Sequence, residues 1–221
     1  MTQIKATYVD HMGSDLSVVN AARVSFGKKS SLEEPFEDCD ASLLRLNKGD
    51  TKLIKYLAKH KHISPFGHAF ASFHVKAPIF VARQLVKHKF LRWNEISRRY
   101  VDDEPEFYVP EVWRGRSEDK KQGSEGVSHP PMWKDATMAQ VLDLYNYMID
   151  DGVAPEQARM VLPQSTMTEW YWSGSLDAFA DMCRLRCASD TQYETRVVAD
   201  QINTEMFKLF PVSWDALMGV E

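Results

Sequence analysis

Residues 66–89 read FGHAFASFHVKAPIFVARQLVKHK. In the first half Ala69, Ala71, Phe73 and Val75 point one way, and Phe70, Ser72 and His74 the other. A period of two is the mark of a strand with one face on a core, here over 66–77. Pro78 follows at a place where a helix start tolerates the missing N–H. Helical spacing then runs over 79–89, with Ile79, Ala82 and Val86 as an apolar stripe.

Outward from this strand and helix the pattern stays mixed. Residues 4–9 read as a strand and 15–26 as a capped helix on Val18, Ala21, Ala22 and Val24. A second helix is expected over 41–60, on Leu43, Leu44, Leu46, Leu53, Ile54 and Leu57. Residues 135–150 form an amphipathic helix on Val141, Leu144 and Met148, 166–172 a strand, and 176–187 and 192–209 two more helices. Strands and helices do not alternate strictly. The expected class is therefore α+β, an antiparallel or mixed sheet flanked by helices, and 221 residues suit a single domain, 1–221. The segment 115–131, GRSEDKKQGSEGVSHPP, has Val127 as its only aliphatic residue and reads as a long exposed loop. Residues 207–218 read as a docking tail. Trp93, Trp113, Trp133, Trp170, Trp172 and Trp214 are expected in the core or an interface, and 102–104 in a solvated turn before Pro105.

Composition removes some classes of function. Hydrophobic residues at 44% and charged residues at 26% are ordinary for a soluble protein. A net charge of −4 argues against a surface built wholly for nucleic acid. No run of 18 apolar residues suggests a membrane span, and the first five residues lack a signal-peptide core. Cys39, Cys183 and Cys187 have no framework spacing, so a reducing, cytoplasmic setting is expected.

Chemistry concentrates in 83–100, RQLVKHKFLRWNEISRRY. Arg83, Lys87, Lys89, Arg92, Arg98 and Arg99 interleave with Phe90, Trp93 and Tyr100. Gln84, Lys87 and His88 fall three to four residues apart, on a face other than the apolar stripe. Cations at a helix end need no ligand to be stable. Asn94, Glu95 and Ser97 add short hydrogen-bonding groups beside the cations, as an anionic or nucleotide ligand requires.

The same segment resembles the signature R-Q-x-x-R-H-R-x-x-S-x-N-E-x-S-x-R-Y of the flavin-dependent thymidylate synthases. Arg83, Gln84, His88, Asn94, Glu95, Ser97, Arg99 and Tyr100 match it. Upstream, 62–84 is similar to the family's H-x-x-P-F-x-H block, strand and P-x-F-V-x-R-Q. Downstream, 158–163 (ARMVLP) resembles A-R-x-V-L-P, and Leu185, Arg186, Gln192 and Glu194 resemble L-R-x(5)-Q-x-E. The chain departs from the pattern at Lys87-His88-Lys89 for R-H-R, Arg92 for the first Ser, Gly67 for an acid, Thr191 for the Ala of A-Q-x-E, and Asp181 for an amide. Lysine keeps the charge of arginine but not its planar fork.

The resemblance implies reductive methylation of dUMP to dTMP. FAD would be the cofactor, NADPH the reductant and 5,10-methylenetetrahydrofolate the carbon donor, in a homotetramer whose sites are shared between subunits. It implies that Arg186 is the catalytic residue, favouring the N3-deprotonated uracil ring. Leu176, Phe179, Cys183 and Arg186 share one helical face, so this guanidinium needs an anionic partner. The implied dUMP contacts are Gln84, Leu85, Val86, Lys87, Glu95, Ile96, Ser97, Arg98, Arg99, Arg159 and Arg186. The implied FAD contacts are His62, Ser64, Lys87, His88, Lys89, Glu95, Ser175, Leu176, Asp177 and Asp181. No cysteine nucleophile is needed. Cys183 and Cys187 sit a turn apart inside a helix, and Cys39 lies among acids that raise a thiol pKa.

Two other products or classes fit parts of the sequence. The changes at Lys87, Lys89 and Arg92 admit a dUMP hydroxymethylase or another flavin-dependent pyrimidine modifier. The basic, aromatic run 87–100 admits a single-stranded nucleic-acid-binding module, which leaves Gln84, Asn94, Glu95 and Ser97 without a role. Seven histidines, among them His60, His62, His68 and His74, carry no metal-ligand spacing, so no metal is expected.

Overall fold

A computed structural model of the chain describes residues 3–33, 45–101, 103–118, 123–128 and 134–219. Along it come β1 (Lys5–Met12), α1 (Asp15–Arg23), α2 (Lys48–Lys59), β2 (Phe70–Pro78), α3 (Ile79–Leu85), β3 (Leu91–Glu95), β4 (Trp113–Arg116), β5 (Ser124–Ser128), α4 (Lys134–Asp150), α5 (Pro155–Ala158), β6 (Met167–Ser175), α6 (Leu176–Arg186), α7 (Tyr193–Leu209) and α8 (Pro211–Met218). The main sheet has the order β1-β2-β6-β3, and every pairing is antiparallel. The expected α+β class holds, and the sheet is antiparallel rather than mixed.

The alternation in β2 does what its period predicts. Ala71, Phe73 and Val75 are buried, while Phe70, Ser72 and His74 are not. Phe73 faces Trp172 and Val75 faces Trp170 across the β2–β6 ladder. Trp93 stacks on Trp170 with centroids 4.3 Å apart and meets Trp172 edge-on at 5.7 Å. Phe179 of α6 packs edge-on against Phe73 at 5.4 Å. Such offset and T-shaped pairs suit the ring quadrupoles, so these aromatics are core rather than a cofactor box. The other face of the sheet is polar, with Ser72 Oγ 2.8 Å from Ser173 Oγ and His74 Nε2 2.8 Å from Glu169.

Several expectations need correcting. The strand expected from 66 begins at Phe70, because Ser64–His68 makes a 3-10 turn that buries Pro65 and Phe66. The helix expected over 41–60 begins at Lys48. Asn47 caps it, its Oδ1 accepting from Asp50 N at 2.7 Å, and Arg45 instead bridges to Glu33. Residues 41–44 lie outside the described residues, as do Cys39, Asp102 and Trp133. The helix expected over 79–89 ends at Leu85. Its buried residues are Val81, Ala82 and Leu85, while Val86, placed in the stripe, is 49% exposed. In α4 the fully buried residue is Tyr145, and Leu144 is exposed. Trp113 is partly exposed rather than core.

The segment 115–131 is not simply a loop. It contributes to a hairpin in which Arg114 pairs with Val127 and Gly115 with Glu125. Gly115 is required there, because a Cβ would lie 2.7 Å from Glu125 O. β3, only five residues long, was not foreseen. The docking tail expected over 207–218 is helical and packs on α2, α6 and α7. Residues 207–209 finish α7, and α8 buries Trp214, whose Nε1 donates to Asn203 Oδ1 at 2.8 Å. Asp15 accepts from Val212 N at 3.0 Å and Ser213 N at 2.8 Å, which caps α8.

Candidate active site

The chain brings three segments to one end of the sheet. Phe70 opposes Ser175, Leu91 opposes Gly174, and Leu176 N donates to Ala69 O. The Ser64–His68 turn, the 86–90 turn and the start of α6 therefore meet there. Gly174 permits the meeting, because a Cβ on it would sit 2.5 Å from Leu91 Cδ2 and 3.0 Å from Phe90 O. Phe90 takes φ +65°, a strained value for a bulky side chain, and its ring is 81% exposed. A cleft of about 350 Å³ opens beside it, lined by Lys87, His88, Lys89, Phe90, Ala178, Asp181, Leu185 and Arg186.

Arg186 ends the buried stripe of α6, after Leu176, Phe179 and Cys183. Its Nε donates to His88 Nε2 at 3.0 Å and its Nη2 to Gln84 O at 3.3 Å. Both acceptors are neutral. Burial lowers the Arg186 pKa. Burial, then the Arg186 charge, lowers that of His88, with Asp181 pulling the other way. A neutral His88 can accept at Nε2 only with its proton on Nδ1. No carboxylate among the described residues pairs with Arg186, and none pairs with Lys87 or Lys89. Two residues earlier on the helix, Arg184 has what Arg186 lacks, an ion pair with Asp181 and a bond to Leu217 O at 2.7 Å. Asp177 Oδ1, in the first turn of α6, is buried and has no partner. Unpaired cations lining one cleft suit a ligand with phosphate groups.

Gln84 uses one amide N–H and one lone pair of its amide oxygen within the chain. Its Nε2 donates to Gln192 Oε1 at 2.6 Å, and its Oε1 accepts from Thr195 Oγ1 at 3.1 Å. Gln192 Nε2 donates to Glu194 Oε2 at 3.2 Å, and Arg114 Nη2 donates to Glu194 Oε1 at 2.6 Å. Tyr108 OH donates to the same oxygen at 3.5 Å; burial first, then the Glu194 charge, pushes its pKa up to about 12. This network floors a second cavity of about 450 Å³, walled by Phe80, Val112 and Trp113.

The remaining expected residues are placed elsewhere. Glu95 lies at the far end of β3, its carboxylate accepting from Thr168 Oγ1 at 2.6 Å and Trp93 Nε1 at 3.0 Å. Ile96 N donates to Glu169 O at 3.0 Å. Ser97 Oγ accepts from Arg99 Nε at 3.1 Å, and Arg98 donates to Asp103 O at 2.8 Å. Arg159 is exposed on the turn after α5, its Nε on Glu156 O at 3.2 Å. Four strand steps of about 3.3 Å separate Leu91 from Glu95, so within one chain the 95–99 group and the cleft sit at opposite ends of β3. His62 is exposed, its ring stacked near Tyr56 at 6.2 Å, and Ser64 and Ser175 flank the cleft end of β2. The side chains of Leu85 and Leu176 are buried, which leaves only their backbone for a ligand.

The family model described as thymidylate synthase complementing protein matches residues 7–212. The chain belongs to this family. The flavin-dependent thymidylate synthase of Thermus thermophilus is 37% identical over 215 residues, 94% of this chain and 73% of the relative. That of Kosmotoga olearia is 36% identical over 217 residues, 96% of this chain and 88% of the relative. The fold matches the crystal structure of a UMP/dUMP methylase, PolB, from Streptomyces cacaoi bound with 5-Br dUMP. The TM-score is 0.78 at 32% identity, covering 99% of this chain and 96% of that one.

In this thymidylate synthase complementing protein fold, Cys183 is buried among apolar groups, and burial pushes its thiol pKa well up, which suits packing rather than attack. Arg114, Tyr108 and Thr195 have no role in the sequence reading, and Gln192 and Glu194 enter it only as motif matches. One signal was there to read: Glu194, Val198, Ile202 and Met206 follow at steps of four, and all are buried. A carboxylate on a buried stripe needs a partner.

Proposed function

We propose that the chain catalyses flavin-dependent reductive methylation of dUMP to dTMP. 5,10-Methylenetetrahydrofolate gives the carbon, NADPH is the reductant, and the whole of 1–221 works as one domain of a cytoplasmic homotetramer. The observation that carries the reading is Arg186, a desolvated guanidinium with only neutral acceptors beside a cleft of unpaired lysines. Uracil C5 is a poor nucleophile until its ring is electron-rich. Arg186 stabilises the negative charge of the N3-deprotonated ring, an electrostatic role in a partly water-excluded site.

Lys87, His88 and Lys89, with Ser64 and the start of α6, hold FAD; Lys87 and Lys89 meet its phosphates as point charges. Bound reduced FAD supplies the hydride. Gln84, Lys87 and the 95–99 group bind dUMP with Arg159. Placement of the 95–99 group and Arg159 away from the cleft of their own chain supports sites completed by neighbouring subunits.

The test is the visible spectrum of the purified protein with FAD, then NADPH with and without dUMP, followed by product mass. Flavin bands that bleach faster with dUMP, and a dTMP product, are expected. A 5-hydroxymethyl product would replace methylation by hydroxymethylation. Failure to bind FAD would remove the reading and leave nucleic-acid binding to be tried. UMP belongs in the same assay, because the structural relative is named a UMP/dUMP methylase.

A further inference from the structure

We propose that Glu194 is a positioning residue for the nucleotide site: its buried charge fixes, through Gln192, which way the Gln84 amide faces. The inference rests on the proposed dUMP site at Gln84. A carboxylate paired with Arg114 has no proton to give. Gln192 must therefore turn its Nε2 toward Glu194, and its Oε1 is left facing Gln84. Gln84 must in turn offer its Nε2 to Gln192, and its Oε1 then falls to the Thr195 hydroxyl. Each amide is set by the one before it, and the order starts at the only charged acceptor in the row.

One N–H and one oxygen lone pair of Gln84 remain, at positions fixed by this order. A reversed amide would present an oxygen where the ligand meets an N–H, and a phosphate or carbonyl oxygen would be repelled. The row also reaches the catalytic group. Gln84 O accepts from Arg186 Nη2, so the pinned side chain holds in place the residue whose carbonyl anchors Arg186. At the other end Arg114 belongs to β4, which ties the hairpin to the nucleotide site.

The test is dUMP affinity by titration calorimetry on the FAD-loaded protein, alongside flavin content and thermal midpoint. Gln192→Leu interrupts the row but leaves Arg114 on Glu194 and a surface position changed, so folding is retained. About tenfold weaker dUMP binding is expected, at unchanged flavin content and midpoint. Thr195→Val should lose affinity in the same way, and Thr195→Ser should restore it. Glu194→Gln, whose amide can face either way, should weaken dUMP binding even where its own midpoint holds. Wild-type dUMP affinity in Gln192→Leu and Thr195→Val would overturn the inference while leaving the proposed function standing. A wild-type protein that binds FAD but no dUMP would overturn both. Equal loss of flavin and dUMP in every variant would reduce Glu194 to a structural group and overturn the inference alone.

Discussion

Asp50 on α2 and Arg186 on α6 are both charges set on apolar helix faces, and the fold treats them in opposite ways. Asp50 has no exposed surface and takes bonds from Arg23, from Ser30 Oγ at 3.0 Å and from Asn47 Nδ2 at 3.0 Å. Both carboxylate oxygens are bonded from within the chain. Arg186 is half-buried, yet it meets only an imidazole nitrogen and a backbone carbonyl. A buried charge answered inside the chain belongs to folding, and one answered only by neutral groups waits for a ligand. Removing the first should cost stability, and removing the second should cost function.

The largest effect is expected at Arg186. Arg186→Ala should fold, since its bonds are to neutral acceptors, but turnover should fall by about 10²–10³-fold. Near-normal turnover would remove it from the chemistry and erase the contrast. Asp50→Ala should do the reverse. Leaving Arg23 partly buried without its carboxylate should cost about 3 kcal/mol in denaturant unfolding. The folded fraction should bind FAD and turn over normally, and a specific loss of activity would sink the division.

Ser97 sharpens the comparison, because it lies away from the cleft and holds Arg99. Ser97→Ala should weaken dUMP binding by about fivefold, roughly one lost hydrogen bond, with flavin content unchanged. Parallel loss of both would point to scaffold damage. Phe90→Gly separates the two roles at a single position. Relief of φ +65° should stabilise the fold by about 1 kcal/mol, while loss of the exposed ring at the cleft mouth should weaken FAD binding. A melting point that falls would show the ring to be packed rather than strained.

Legibility followed the same division. The sheet face was readable because β2 alternates cleanly and the helices keep their apolar periods. Asn47 hid the start of α2, because leucines at 43, 44 and 46 continue a helical pattern that the cap cuts off. The hairpin was unreadable because its strands are polar and glycine-bearing and take their order from pairing with each other. α8 was hidden because Pro211, a tolerated helix start, follows α7 almost directly, and the cap on Val212 N comes from Asp15, 197 residues away. In the site, Arg186 was legible from its stripe, and so were the cations near it. The row from Glu194 to Gln84 was not, because its members come from α7 and α3 and only the fold joins them.

The smallest effect should appear at His88. Burial and Arg186 hold its folded pKa below the ordinary 6.5. In the unfolded chain the imidazole titrates near 6.5, so below that pH the unfolded state binds the extra proton first. Stability from this group is therefore full above 6.5 and declines as pH falls from 6.5 through the folded pKa. Asp181 across the cleft favours the charged imidazole and softens the decline, while Lys87 and Lys89 on its own turn do not. Protonation also removes the Nε2 acceptor, so the Arg186 guanidinium loses one of its two anchors in the same window. Turnover of wild type should thus fall faster than FAD binding as the pH drops below 6.5. In His88→Asn, which cannot gain a charge, the acid limb of turnover should flatten. An unchanged acid limb would assign it to another group and leave Arg186 anchored by Gln84 alone.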